Sequence, residues 1–264
     1  MENYDLIMIG TGSAMNYIDP IIDSNPEMRI AVIDKDEPGG ICLTRGCIPS
    51  KILLYSAELI RELETASLFG IKAEIKDIDF LAIMERMRGK IGECIDARRK
   101  VLTENLYLDY YHESAEFISP YTLKVGDKTL YSKMIFLCTG SRPEIPPVEG
   151  LEEAGYLTSD TVLQLNEYPQ SLAIIGGSYI AAEYGHFFSA MGAEVTVIGR
   201  NSRFFPPEEP EISKLAGLKM SEHMKILTNY EAIEVRKEDN GQKTVLAKEQ
   251  YSREDEQTYM AGFW

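Results

Sequence analysis

The sequence predicts an α/β chain of two domains, and three observations carry that reading. Over residues 4–35 an apolar strand, a glycine-bearing turn, an amphipathic helix and a second apolar strand follow one another, and the same order returns over 171–200. That order opens a doubly wound parallel sheet. Between the copies lies "SRPEIPPVEG", 141–150, which cannot continue a helix or a central strand and so marks a boundary. The length of 264 residues suits two ordinary cores, expected at 1–149 and 150–264.

The elements follow in order. "YDLIMI" at 4–9 reads as a buried strand, "GTGSAM" as the turn after it and "RIAVIDK" at 29–35 as the second strand. Pro20 interrupts the intervening helix, which is expected to kink or to end near Asp19 because proline lacks the N–H that a helix interior needs. Apolar residues at spacings of three and four predict helices over 50–70 and 80–106. A meander follows: "AEFI", "YTLKV", a "GDK" turn and "KTLY", then "MIFLCTG" as a further buried strand. The second copy runs from "SLAIIGG" through the helical "SYIAAEYGHFFSA" to "AEVTVIGR". Beyond it the pattern predicts a helix near 211–223 and a hairpin across "EDNG", whereas "QYSREDEQTYMAGFW" shows no period.

The net charge of −15 excludes a nucleic-acid or anionic-membrane surface, which would need clustered Lys and Arg. The N-terminal apolar run is far shorter than the roughly 20 residues of a membrane span and lacks a basic flank, so the expected location is the cytoplasm. Four cysteines occur. Cys94 and Cys138 stand apart and are expected to be buried small hydrophobes. Cys42 and Cys47 form a close pair, which in a reducing compartment points to chemistry rather than to a staple. His112, His186 and His223 have no spacing that would complete a zinc site, and they read as surface or structural residues.

In "GTGSAM", Gly10 and Gly12 match the first two glycines of a dinucleotide fingerprint, one for the tight turn and one for close approach of a pyrophosphate. Met15 at the third position is bulky and should push the helix off the strand. Asp34 ends the second strand, where a carboxylate accepts hydrogen bonds from a ribose. In the second copy the corresponding residues are Gly176, Ser178 and Ala181, and the strand ends in Gly199 and Arg200. A guanidinium in place of the acid suits the 2′-phosphate of NADPH, with Arg203 as help; the alternative is two arginines on a surface loop.

The paired cysteines stand five positions apart along the chain. On a regular helix that spacing sets Cα atoms about 8–9 Å apart, beyond the limit of about 7 Å for a disulfide, so the pair is expected to straddle a break in the helix. Gly46 supplies the backbone freedom, and Pro49 suits the first turn of the helix that follows. Cys47 then stands at a helix N-terminus, a place that favours thiolate, with Lys51 as a nearby cation. A redox pair is the reading these features support.

At this point "GGICLTRGCIPSK", 39–51, resembles the active-site segment of the flavin-dependent pyridine nucleotide-disulfide oxidoreductases. Within them "CL..GCIPSK" is most similar to dihydrolipoyl dehydrogenase. The likeness extends through "LCTGSRPEIPPVEG", "IIGGSYIAAE" and "VTVIGR", over about the first 235 residues. It implies two Rossmann-like domains of the FAD/NAD(P)-binding fold. FAD would be held by Gly10, Gly12, Ser13, Ala14, Asp34, Ile41, Cys42 and Lys51, with Ala115, Thr139, Gly140 and Ser141 near its adenosine half. NADH or NADPH would sit on Gly176, Gly177, Tyr179, Ile180, Glu183, Arg200 and Arg203, with NADPH favoured by Gly199 and Arg200. The resemblance makes Cys47 the flavin-side thiol and Cys42 the thiol that exchanges with a small-molecule or lipoyl-domain disulfide, while Lys51 and Glu183 pair.

Family members continue into the second half of the FAD domain and a dimerisation domain with a His–Glu pair, none of which is matched here. Truncation is therefore the expectation, with impaired turnover and no dimerisation domain to make the family's homodimer. Two alternatives stand beside it: a mercuric-ion or low-molecular-weight disulfide reductase, and a nucleotide-binding remnant without catalysis.

Overall fold

In the computed structural model the residues described are 1–250 and the backbone of 256–261. Contacts divide the chain into two compact units, Met1–Pro49 with Arg86–Arg142, and Ser50–Glu85 with the chain from Pro143 onward. The helical segment 50–85 thus groups with the second unit by packing, although linear order places it within 1–149.

The first unit opens with β1 (Glu2–Asn3), β2 (Leu6–Ile9), α1 (Ile18–Ser24), β3 (Ile30–Ile33) and α2 (Gly40–Arg45). Helices α3 (Cys47–Thr65) and α4 (Phe80–Glu104) carry the chain out to the second unit and back. Then come β4 (Leu108–Tyr111), β5 (Ala115–Ser119), β6 (Thr122–Val125), β7 (Lys128–Tyr131) and β8 (Ile135–Leu137). A parallel sheet has the order β4-β3-β2-β8, and the meander forms a second sheet, β1-β7-β6-β5.

The two sheets explain why β2 and β3 are apolar throughout. Leu6, Met8, Ile30 and Val32 face one core with Ile18 of α1 and Leu102 of α4. Ile7, Ala31 and Ile33 face another with Leu123, Val125 and Leu130 of the meander. A strand covered on both faces shows a continuous apolar run rather than alternation, and each fully buried aliphatic side chain contributes about 1.5–3 kcal/mol.

Pro20 does not end the helix at Asp19. Residues Ser13–Tyr17 form a 3₁₀ segment and α1 starts at Ile18, so Pro20 lies in its first turn, where the missing N–H has no intrahelical acceptor. Met15 is accommodated in the tighter 3₁₀ turn and packs against the Leu6–Met8 core. "MIFLCTG" is corrected: β8 is an edge strand, with Leu137 65% exposed rather than buried. Strand β4 has no counterpart among the sequence expectations, since "LDYY" places only Leu108 in the core and reads as polar. Cys94 is also corrected. The inward stripe of α4 passes through Ile91, Ile95 and Leu102 and leaves Cys94 exposed, while Cys138 is half-buried against the first core.

In the second unit come α5 (Leu151–Ala154), β9 (Ser171–Ile175), α6 (Tyr179–Ala190), β10 (Glu194–Gly199), α7 (Pro210–Met220), β11 (Lys225–Thr228), β12 (Tyr230–Lys237), β13 (Lys243–Glu249) and β14 (Glu256–Ala261). The parallel order is β11-β10-β9, beside an antiparallel sheet β12-β13-β14. The hairpin expected across "EDNG" is β12–β13. Part of the tail without period is a strand, β14, while 251–255 and 262–264 lie outside the described residues. Ala173, Ile198, Val235, Val245 and Ala247 join the two sheets in one core. Phe187 and Phe188 of α6 pack on Phe80, with ring centroids 6.0 and 6.3 Å away.

Candidate functional site

The turn after β2 and the loops after β3 and β8 meet in one cleft of about 1120 Å³ in the first unit. Gly10, Gly12, Ser13 and Ala14 line it from the first loop, and Asp34 from the second. Ile41, Cys42 and Cys47 reach it from α2 and the start of α3, and Ala115, Thr139, Gly140 and Ser141 from the meander and the loop after β8. Residues as far apart in sequence as Gly10 and Ser141 are thus gathered by the parallel order of the sheet, whose strand ends all open on the same side.

Cys42 lies on α2 and Cys47 is the first residue of α3, and both are exposed. The helix breaks between them at Gly46, with φ −131° and ψ −118°. A Cβ there would stand 2.9 Å from the carbonyl oxygen of Ile41, so no other residue fits without moving the break. Pro49 is the third residue of α3, in its first turn. A second close approach joins α2 to the glycine loop, because a Cβ on Gly40 would lie 2.5 Å from the Cα of Gly12.

Sequence reasoning missed Thr11. It is fully buried between the two glycines, and its backbone N–H and hydroxyl both donate to Oδ2 of Asp34, at 2.8 and 2.6 Å. Its Oγ1 accepts the N–H of Gly39 at 3.0 Å, and Asp34 Oδ1 accepts the N–H of Asp36, also at 3.0 Å. The signal was a hydroxyl residue in the variable position of Gly-x-Gly, read together with an acid at the next strand end.

Lys51 does not line this cleft; it belongs to the second unit, where its Nζ forms a hydrogen-bonded ion pair with Glu183 of α6. The same two helices are joined again by Arg61 Nη2, which donates to Ser189 Oγ at 2.9 Å. The glycine turn after β9 has Gly177 against Gly199, since a Cβ on Gly177 would stand 3.7 Å from the Cα of Gly199. Tyr179 and Ile180 open α6 and are exposed, at 65% and 44%. Arg200 is exposed just after β10, and Arg203 turns back to donate to the carbonyl of Pro206 at 3.3 Å. A cavity of about 350 Å³ takes in Gly176 and Ile180, whereas Gly177, Tyr179, Glu183, Arg200 and Arg203 lie outside it.

His186 on α6 is half-buried and held below the ordinary imidazole range, first by burial and then by the charge of Arg61 and of His223. Among the described residues no group of three or more His, Cys, Asp or Glu side chains is placed to hold a metal. No helix among them is long and apolar enough to cross a membrane.

Fold and site together define a class of chain: two glycine-turn βαβ units, with a cysteine pair in the cleft of the first. The family model for pyridine nucleotide-disulphide oxidoreductases matches residues 4–262, and the chain belongs to that family. It is 31% identical over 259 residues to a mercuric reductase of Staphylococcus aureus, covering 94% of this chain and 47% of that protein. It is 34% identical over 218 residues to the dihydrolipoyl dehydrogenase of Chlamydia trachomatis, covering 81% and 46%. A mycothione reductase of Mycobacterium tuberculosis matches at 33% over 208 residues, 76% of this chain and 45% of the relative. The chain therefore spans about half the length of these curated relatives. Its fold superimposes on the Cu(II) complex of a variant of RclA, an HOCl-induced flavoprotein disulfide reductase from Escherichia coli. The TM-score is 0.82 at 24% identity, covering 99% of this chain and 55% of that one.

Proposed function

We propose that this chain serves an FAD-dependent NAD(P)H:disulfide oxidoreductase of dihydrolipoyl dehydrogenase type, with Cys42 and Cys47 as its redox pair. The supporting observation is the single cleft that gathers the glycine loop, Asp34 and both cysteines. FAD fits the residues present: the volume is ample, the approach of Gly12 to Gly40 leaves a wall without side chains, and Asp34 offers a carboxylate. Bound there, FAD would supply a two-electron carrier between nicotinamide and the thiols. Gly10, Gly12, Ser13 and Ala14 would hold its pyrophosphate, and Ala115, Thr139, Gly140 and Ser141 its adenosine half.

The chain's own chemistry is thiol–disulfide exchange. The Cys42 thiolate attacks one sulfur of a substrate disulfide and expels the other as a thiolate. Cys47 then attacks Cys42 in that mixed disulfide, closing the Cys42–Cys47 bond and releasing the second thiol, so the substrate gains two electrons and the pair loses two. In the second unit Gly176, Gly177, Tyr179, Ile180 and Glu183 would receive the nicotinamide nucleotide, with Arg200 and Arg203 favouring NADPH over NADH. The substrate is a small-molecule or lipoyl-domain disulfide. A second reading, Hg(II) as acceptor, is favoured by the mercuric reductase among the relatives.

FAD titration by quenching of flavin fluorescence tests the first step, and saturable binding is expected. Cys42→Ser should then leave a thiolate–flavin charge-transfer band. FAD bound without that band would remove Cys47 from the flavin side, and no binding at all would end the flavoprotein reading. Assays with lipoamide, low-molecular-weight disulfides and Hg(II), each with NADH and NADPH, separate the substrate readings.

A further inference from the structure

We propose that Thr11 is a positioning residue that sets Asp34 for a single ribose hydroxyl and ties that contact to the cysteine-bearing helix α2. The proposal rests on the FAD reading above. A carboxylate has about four lone-pair sites, and three are already taken. The N–H and hydroxyl of Thr11 both donate to Oδ2, at 2.8 and 2.6 Å, and the N–H of Asp36 donates to Oδ1 at 3.0 Å. One site on Oδ1 is left, so Asp34 can accept one hydroxyl of a ribose diol and not both.

The same hydroxyl reaches the other way. Thr11 Oγ1 accepts the N–H of Gly39 at 3.0 Å, and Gly39 immediately precedes α2, which carries Cys42. With Gly12 and Gly40 in backbone contact beside it, the glycine loop, the loop after β3 and the start of α2 share one buried hydrogen-bonded junction. A valine has the shape of threonine and keeps the backbone N–H bond to Asp34, but its side chain neither donates to Asp34 nor accepts from Gly39. Losing the hydroxyl would free a lone pair on Oδ2, leave the Gly39 N–H without an acceptor and loosen α2. Serine keeps both hydrogen bonds.

The test compares wild type, Thr11→Val and Thr11→Ser, each checked for folding by its unfolding midpoint. FAD and its adenosine 2′-deoxy and 3′-deoxy analogues are titrated by flavin fluorescence. Cysteine reactivity towards 5,5′-dithiobis(2-nitrobenzoate) is measured in cofactor-free protein. Wild type should lose about tenfold in affinity for one deoxy analogue, the scale of one hydrogen bond to a charged group, and less than threefold (~0.65 kcal/mol) for the other. Thr11→Val should bind FAD about tenfold more weakly, narrow the gap between the analogues and change the thiol reaction rate, and Thr11→Ser should restore all three. Wild-type behaviour of a folded Thr11→Val would overturn the assignment while the FAD reading stood. Should Thr11→Val not fold, a Thr11→Ser protein with altered discrimination or thiol rate would overturn it instead. Failure of wild type to bind FAD would fell the FAD reading and the ribose contact with it, and the thiol rates would then decide the link to α2 alone.

Discussion

Tyr4 shows how much one side chain can hold at the sheet's edge. Its hydroxyl lies 2.6 Å from Asp109 Oδ2, 2.6 Å from Tyr111 Oη and 3.1 Å from Glu2 Oε2, and the Arg29 guanidinium sits 4.6 Å above its ring. Burial and the Asp109 carboxylate push its phenol far up, so it stays neutral and donates. Tyr4→Phe is expected to cost about 2 kcal/mol, the range for a hydrogen bond to a charged group, read from the denaturation midpoint at constant m. His186 gives a pH dependence. Its folded pKa is depressed, so the neutral ring stabilises the fold above the unfolded value near 6.5, and that contribution is lost as pH falls from there through the folded value. Arg61, His223 and Glu58 are the charges acting on it. A melting-temperature profile between pH 7.5 and 5 should be flatter in His186→Gln; an unchanged slope would rule the histidine out as its source.

At the scale of elements, helices α3 and α6 are joined by Lys51–Glu183 and Arg61–Ser189. The Lys51 side chain is 59% exposed, and pairs so open to water contribute about 0–1 kcal/mol. Glu183→Gln should therefore leave the unfolding midpoint nearly unmoved while slowing NADPH-dependent reduction of FAD in stopped-flow by tenfold or more, on the order of one lost charge contact. Equal losses in stability and rate would make the pair structural. Much at this scale was legible in sequence. The βαβ units were visible because both faces of β2, β3, β9 and β10 are covered enough to demand apolar runs, and the break at Gly46 because five-residue spacing and a helical disulfide are incompatible. Strand β4 and the exposed Cys94 were not. "LDYY" pairs with β3 through its backbone, which leaves no trace in side-chain pattern, and Cys94 was judged by residue type alone, whereas the inward stripe of α4 runs through Ile91 and Ile95 and passes it by.

For the whole chain, each compact unit carries one glycine turn, and nucleotide binding should be visible as added stability. NADPH at about a hundred times its Kd adds roughly 2.7 kcal/mol to a unit that binds it. Calorimetry should show this as a raised midpoint, larger than with NADH if Arg200 and Arg203 read the 2′-phosphate; equal shifts would remove that role. The candidate site was legible in its membership, because the motif residues of the first loop, the cysteine segment and the "TGS" turn all reach one cleft. Its internal wiring was hidden, since the bond from Thr11 to Asp34 joins residues 23 apart and depends on where the loop turns, which no spacing rule gives.

The break at Gly46 has a bearing on how such chains are compared. Both sulfurs can persist through a lineage while the methyl group of an alanine at 46, 2.9 Å from Ile41 oxygen, would already have spoiled their alignment. In this chain Gly46→Ala should slow closure of the Cys42–Cys47 bond in timed thiol trapping, and unchanged closure would show that the turn can give way. Two cysteines at this spacing are therefore not enough by themselves: the missing side chain at 46 is what lets α2 end and α3 begin between them.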